Sequence, residues 1–183
     1  HTTLRTHLTD HAFHTVADKQ LLPNEQHYKD YIIPKNLERF KVDGLPEQFV
    51  VVTTGFTAAV REWLPSYINE VTSFILSKGL DIVFLGKRQS QFWGANGITT
   101  GNFRDGEVDF SVGIDLRDST TILEASYIMS KSKAVVGVDN GLLHLAAASS
   151  PTVPIVAGYT TVHPNHRMPY RNKGTLGYNV YPV

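Results

Sequence analysis

The sequence predicts an α/β protein built on a Rossmann-like parallel sheet with helices on both faces. Three observations carry that expectation. From about residue 49 onward, short apolar runs alternate with stretches of helical periodicity. The runs themselves (FVVVT at 49–53, IVFL at 82–85, AVVGV at 134–138) are branched and lack polar alternation, the pattern of strands buried on both faces. Small or polar residues come after each run, where a strand gives way to a loop and then a helix.

Taken in order, residues 49–53 form the first strand. Residues 62–77 form the clearest helix, because Leu64, Tyr67, Ile68, Val71, Phe74 and Ile75 recur at i, i+3, i+4 and i+7 and so face the core. Pro65 fits its first turn and Gly79 the position beyond its end. Residues 82–85 form the second strand, ending at Gly86. Residues 87–107, rich in Gly and Asn, are expected to be irregular, with a turn at Asp105–Gly106. Residues 110–116 return to strand. Thr121 and Glu124 make a capping box that opens a helix through Ser130, with Ile122, Ala125 and Met129 on one face. Strand 134–138, helix 142–149 and strand 153–157 complete the series. Residues 1–47 read differently: Leu8 to Leu22 suits a helix, and Pro23, Pro34 and Pro46 break the rest of this segment into a linker. The expected organisation is therefore a helix and linker over 1–47 and the α/β domain over 48–183.

Composition narrows the function classes. The chain has 183 residues, 42% of them hydrophobic and 19% charged, as a globular domain does. Seventeen Lys and Arg balance seventeen Asp and Glu, so no excess charge argues for nucleic acid or an anionic membrane. Without cysteine there are no disulfides and no thiolate metal sites, which fits a reducing compartment. The first residues are too polar for a secretory signal, and the stretch 142–159 carries His144 and two prolines, so no transmembrane segment is expected. Together these predict a cytoplasmic protein. The P-loop pattern, the G-x-G-x-x-G fingerprint and the G-x-S-x-G elbow are all missing.

The richest local motif is AVVGVDNGLLHLAAA at 134–148. A strand, the polar turn Asp139–Asn140–Gly141 and a helix start make an anion cradle, since unpaired N–H groups and the helix dipole both favour negative charge there. A phosphate would sit at Asn140–Gly141 with His144 one turn further in, able to donate a hydrogen bond to it. An ordinary strand-to-helix corner with no ligand has the same pattern. A second strand–loop unit comes after the first strand, with Thr53, Thr54, Gly55 and Thr57 offering amides and hydroxyls, then Arg61 and Trp63.

The segment around Asp139, Gly141 and His144 resembles the D-[ST]-G-x-x-H-[LFI]-A-A signature of glycosyltransferase family 9, the heptosyltransferases, with Asn140 where the family carries Ser or Thr. The resemblance covers residues 48–170 and implies the nucleotide-sugar-binding half of a two-domain GT-B architecture, with 1–47 corresponding to the end of the preceding domain and its connection. It implies that Arg61, two residues before Trp63, reaches the donor diphosphate, where the family has Lys. Gly86 and Lys87 correspond to a turn near the nucleotide. Asp115 and Leu116 begin a segment similar to the family's D-L-[TS]-G, which lies along the base; Asp118 replaces its Gly. The implied catalytic contribution of this half is to neutralise the departing diphosphate through Arg61 and His144, while Thr54, Gly55, Thr57, Asp139, Asn140 and Gly141 complete the donor site. Asp139 is expected to cap the following helix or accept from sugar hydroxyls.

The implied reaction is inverting and metal-independent, moving a sugar from an ADP-heptose-like donor to a glycan or lipopolysaccharide-type acceptor. The acceptor domain with its general base is missing from this half. No cofactor is expected beyond the nucleotide-sugar substrate. Two rival readings are a non-catalytic nucleotide- or glycan-binding module of the same fold and a transferase using a UDP- or GDP-sugar. His7, His11 and His14 would share one helix face, but no further ligand completes a metal set. The loop carrying His163, His166, Arg167, Pro169 and Tyr170 is either structural or a contact to donor sugar or phosphate.

Overall fold

The computed structural model describes residues 36–55, 61, 63–94, 97–102, 107–150, 152–159, 167–169 and 177–180. The expected helix at 8–22, the His7–His11–His14 face, Thr57, the turn at 105–106, His163, His166 and Tyr170 lie outside them.

Six parallel strands form the main sheet: β1 (Phe49–Thr54), β2 (Asp81–Gly86), β5 (Ile114–Asp115), β6 (Ala134–Val138), β7 (Ile155–Gly158) and β8 (Gly177–Val180). Their order is β5-β2-β1-β6-β7-β8. The chain therefore builds outward from β1 in one direction, then returns to its other side and builds the opposite way. That reversal creates a switch point between β1 and β6, where loops diverge and leave a crevice at the carboxyl ends of the strands. β1 pairs along its whole length with β2 and through Val50–Val52 with β6.

The apolar runs divide by residue parity. Phe49, Val51, Val83, Leu85, Val135, Ile155 and Ala157 pack under helices α2 (Ile122–Lys131) and α3 (Gly141–Ser149), through Ala125, Ile128, Met129, Leu143 and Ala146. Val50, Val52, Ile82, Phe84 and Val136 face the other side, against Ile75 of α1 (Pro65–Ser77). Both faces are covered, which is why these strands show no polar alternation.

Several elements depart from the sequence expectation. Helix α1 starts at Pro65 rather than 62 and buries Pro65, Ile68, Thr72 and Ile75. Leu64, Tyr67 and Phe74 are exposed, because the apolar set is wider than the stripe the sheet covers. Thr72 fills a core position by returning its hydroxyl to the Asn69 carbonyl at 3.0 Å. The capping box at Thr121 and Glu124 is present, yet Ile122, in the first turn of α2, is exposed. Part of the stretch expected to be irregular is regular: β3 (Gln89–Gly94) and β4 (Gly97–Asn102) pair antiparallel, apart from the main sheet. Their sequence has no long apolar run by which a buried strand is read. Between Phe110 and Leu116 the chain first makes a 3₁₀ turn (Phe110–Val112), held by Asp109 accepting from Ser111, and only then the two-residue β5. The last two strands also shift: β7 begins at Ile155, after Pro154, and β8 was not expected. Among the described residues no helix is long and apolar enough to cross a membrane.

Candidate functional site

The carboxyl ends of β5, β2, β1, β6 and β7 bring the expected site residues to one edge in two adjoining groups. At the switch point lie Thr54 and Gly55, Arg61, then Asp139, Asn140, Gly141 and His144. Beside them, at the ends of β2 and β5, lie Gly86, Lys87, Asp115 and Leu116.

Asn140 rather than Asp139 caps α3. Its Oδ1 accepts from the N–H groups of Leu142 (3.0 Å) and Leu143 (3.3 Å), as a good N-cap residue does. Its Nδ2 donates across the switch point to the Gly55 carbonyl at 3.2 Å, and Thr53 Oγ1 lies at 3.5 Å. One amide thus accepts from its own helix and donates to the neighbouring loop. This corrects the sequence expectation twice. Asp139 is free of the capping role, and the amides of Leu142 and Leu143 are already engaged. The N–H groups of Asn140 and Gly141 have no acceptor among the described residues. Nothing lies within 4 Å of the position a Cβ would take on Gly141, so the space beside the turn is open. His144 sits one turn into α3 and is partly buried.

Asp139 is buried and faces two cations: Arg61 Nε at 3.7 Å and Arg167 Nη1 at 3.5 Å, both on Oδ2. Neither distance is that of a charge-assisted hydrogen bond, and Oδ2 has no hydrogen-bond partner. Thr54 Oγ1, at the end of β1, is likewise buried and without one. Buried polar atoms are nearly always paired, so two exceptions at one switch point single out the place. Trp63 fixes the segment that carries Arg61: its indole lies against Gly158 at the end of β7, where a Cβ would come within 2.2 Å of Nε1. Arg61 precedes α1 by four residues.

The second group is tied to the first by close backbone approach. Gly86 has φ +133°, and a Cβ there would lie 1.9 Å from the Thr54 carbonyl oxygen; a Cβ on Gly55 would meet the Lys87 nitrogen at 3.3 Å. Beyond them, Arg117 is 3% exposed. Its guanidinium forks onto Asp115 with both contacts at 2.9 Å and lies 3.3 Å above the Phe110 ring. Arg88 adds a contact to Asp115 at 3.1 Å. Asp118 has φ +59°, the left-handed conformation a glycine would take, so the substitution keeps the backbone path. Its carboxylate receives the Arg88 N–H at 2.9 Å and pairs with Lys87 at 3.0 Å, stitching the two loops together. Arg117 is a site-forming residue that the sequence did not single out; the Asp-x-Arg spacing at 115–117 was its signal.

Hydrogen bonds from the Arg117 side chain hold the Asp115 carboxyl below its usual range, with burial opposing. A carboxylate lowered in the folded state contributes stability above its unfolded pKa and loses it as pH falls through the folded one. We expect the thermal midpoint to drop as pH falls below about 4, the ordinary aspartate value, with part of that drop missing in Asp115→Asn. The variant is already less stable at neutral pH, because Arg117 keeps a buried charge without its counter-ion. Melting both proteins across this range checks it; parallel curves would refute the role.

The fold and this edge define a doubly wound α/β domain whose polar residues gather at the switch point, the arrangement that holds phosphate-bearing ligands. The family model of glycosyltransferase family 9 (heptosyltransferase) matches residues 4–180. The chain belongs to that family. It is 25% identical over 118 residues to lipooligosaccharide heptosyltransferase 2 of Haemophilus ducreyi, a match covering 63% of this chain and 32% of that protein. Among solved structures, a family 9 glycosyl transferase from Veillonella parvula superposes with a TM-score of 0.66 at 16% identity, over 97% of this chain and 50% of its own. The E. coli heptosyltransferase WaaC with ADP gives 0.56 at 18% identity, over 74% and 40%. The chain thus spans half or less of the length of these relatives. Among the described residues, no three His, Cys, Asp or Glu side chains gather into a metal-binding group.

Proposed function

We propose that residues 48–183 are the nucleotide-sugar-binding half of a heptosyltransferase-type glycosyltransferase, which transfers a sugar from a nucleoside diphosphate to a glycan or lipopolysaccharide-type acceptor. The observation that carries this is the switch-point turn: N–H groups at Asn140 and Gly141 with no acceptor among the described residues, open space beside them, and Arg61 next to a buried carboxylate. A diphosphate placed there receives backbone donors from one side and a guanidinium from the other. As the bond to the sugar breaks, negative charge grows on the diphosphate, and donors already in position stabilise it without reorganising. His144 adds a donor one turn away. Arginine and amide donors meet the diphosphate charge in this reading, so binding proceeds without added divalent metal; that transfer inverts the anomeric centre is carried over from the resemblance to family 9. Gly86, Lys87, Asp115 and Leu116 flank the nucleoside. The acceptor and the base that deprotonates it belong to the part of the family architecture beyond this half.

Calorimetric titration with ADP, UDP and GDP, in chelator and in magnesium, tests the reading. Binding of one diphosphate in chelator is expected. Arg61→Ala is expected to weaken it by about 1.5–3 kcal/mol, the scale of a hydrogen bond to a charged group, with native circular dichroism. Failure of all three nucleotides would remove the proposal, and a strict metal requirement would remove the metal-independent part of it.

A further inference from the structure

Asp139 closes the end of β6, and β6 lies between β1 and β7 in the sheet. Arg61 comes from the segment after β1 and Arg167 from the segment after β7, so the two guanidiniums reach the same carboxylate oxygen from segments that leave the strands flanking β6. Arg167 is anchored for this: Tyr159 Oη donates to its backbone carbonyl at 3.3 Å, and the neighbouring Met168 packs on the core. The Asp139 side chain is 10% exposed, those of Arg61 and Arg167 23% and 33%. Each arginine therefore keeps one side on the buried carboxylate and another toward solvent.

The pairing is electrostatic rather than hydrogen-bonded, since both contacts exceed the 2.7–2.9 Å of a charge-assisted bond. Among the described residues neither guanidinium has another partner, so their N–H donors are unspent. One carboxylate against two guanidiniums also leaves a positive charge uncompensated at a half-buried place. Such a charge is stable when an anion meets it.

We infer that Arg61 and Arg167 form a two-armed clamp for the diphosphate of the donor, with Asp139 as the shared counter-ion that holds the arms apart and aimed at the turn. This rests on the proposed donor site and adds a second binding arm to it. Arg167 grips the phosphate furthest from the nucleoside, the one that bears the sugar, because it enters from the β7 side, away from the strand ends that flank the nucleoside. Asp139 positions both arginines.

The test measures ADP and AMP affinity by calorimetry on the purified protein and on Arg167→Gln, Arg167→Lys and Arg61→Gln. For Arg167→Gln, ADP affinity is expected to fall at least tenfold while AMP affinity changes less than twofold. Arg167→Lys, which keeps the charge but not the fork, falls between. Near-wild-type melting temperatures establish that the variants fold; should Arg167→Gln not fold, the Lys variant alone carries the ADP-to-AMP comparison. Wild-type ADP affinity in folded Arg167→Gln, with Arg61→Gln impaired, would overturn the clamp and leave the donor site standing. Equal losses for ADP and AMP would also overturn it. If the unaltered protein binds no nucleoside diphosphate, the donor-site reading fails and the clamp with it.

Discussion

Gly86→Ala is expected to cost on the order of 4 kcal/mol, a large share of the stability of an ordinary domain. Two penalties combine there. The residue has φ +133°, where a side chain is strained, and its Cβ would press to 1.9 Å from the Thr54 carbonyl oxygen of the neighbouring strand. That neighbour is backbone in the centre of the sheet, paired in register with Gly86 itself, so it has no rotamer to yield. Gly79→Ala supplies the control. Gly79 has φ +71° with nothing within 4 Å, so only the conformational penalty of about 1 kcal/mol applies. Urea midpoints of the two variants separate steric closure from backbone strain. Equal effects would mean that β1 and β2 part easily at their ends.

Gly141→Val is expected to do the opposite: leave the fold intact and abolish diphosphate binding. The Cβ position at Gly141 is open and its φ is unremarkable, so Val is accommodated in the first turn of α3. The branched side chain then occupies the space beside the N–H groups of Asn140 and Gly141, where a phosphate must approach. A thermal-shift series with and without ADP reads both halves of the expectation at once, because a ligand raises the midpoint only while affinity persists. A full nucleotide-dependent shift in Gly141→Val would move the phosphate away from this turn.

The central strands were legible because burial on both faces writes itself as an unbroken apolar run, as at Val50–Val52 and Ile82–Leu85. The capping box at Thr121 was legible for a different reason, being a local hydrogen-bond pattern that needs no tertiary partner. What failed to show were elements set by tertiary contact. Phe110 makes an edge-on contact with Phe84 at 5.0 Å and supports Arg117, and so bends a stretch whose residues suit a strand. Tyr67 and Phe74 fit the helical period yet face outward, since periodicity fixes a face without fixing its width. At the site, the spacing of Asp139, Gly141 and His144 located the turn. It did not distribute the duties within it: Asn140 serves as the cap, and Asp139 faces Arg61 and Arg167.

The strand order also dictates a schedule of assembly. β1, the first strand among the described residues, lies in the middle of the sheet, and β2 can join it after only the span of α1. The other side of β1 waits for β6, whose Val135 pairs with Val51 across more than half of the domain. Until then the run FVVVTT presents an open, apolar edge, the kind of surface that draws in other chains. Closing so long a loop is slow, since its entropy is lost before the contact rewards it. The switch-point crevice therefore exists only once both sides of β1 are paired, so its walls come from segments far apart in the chain.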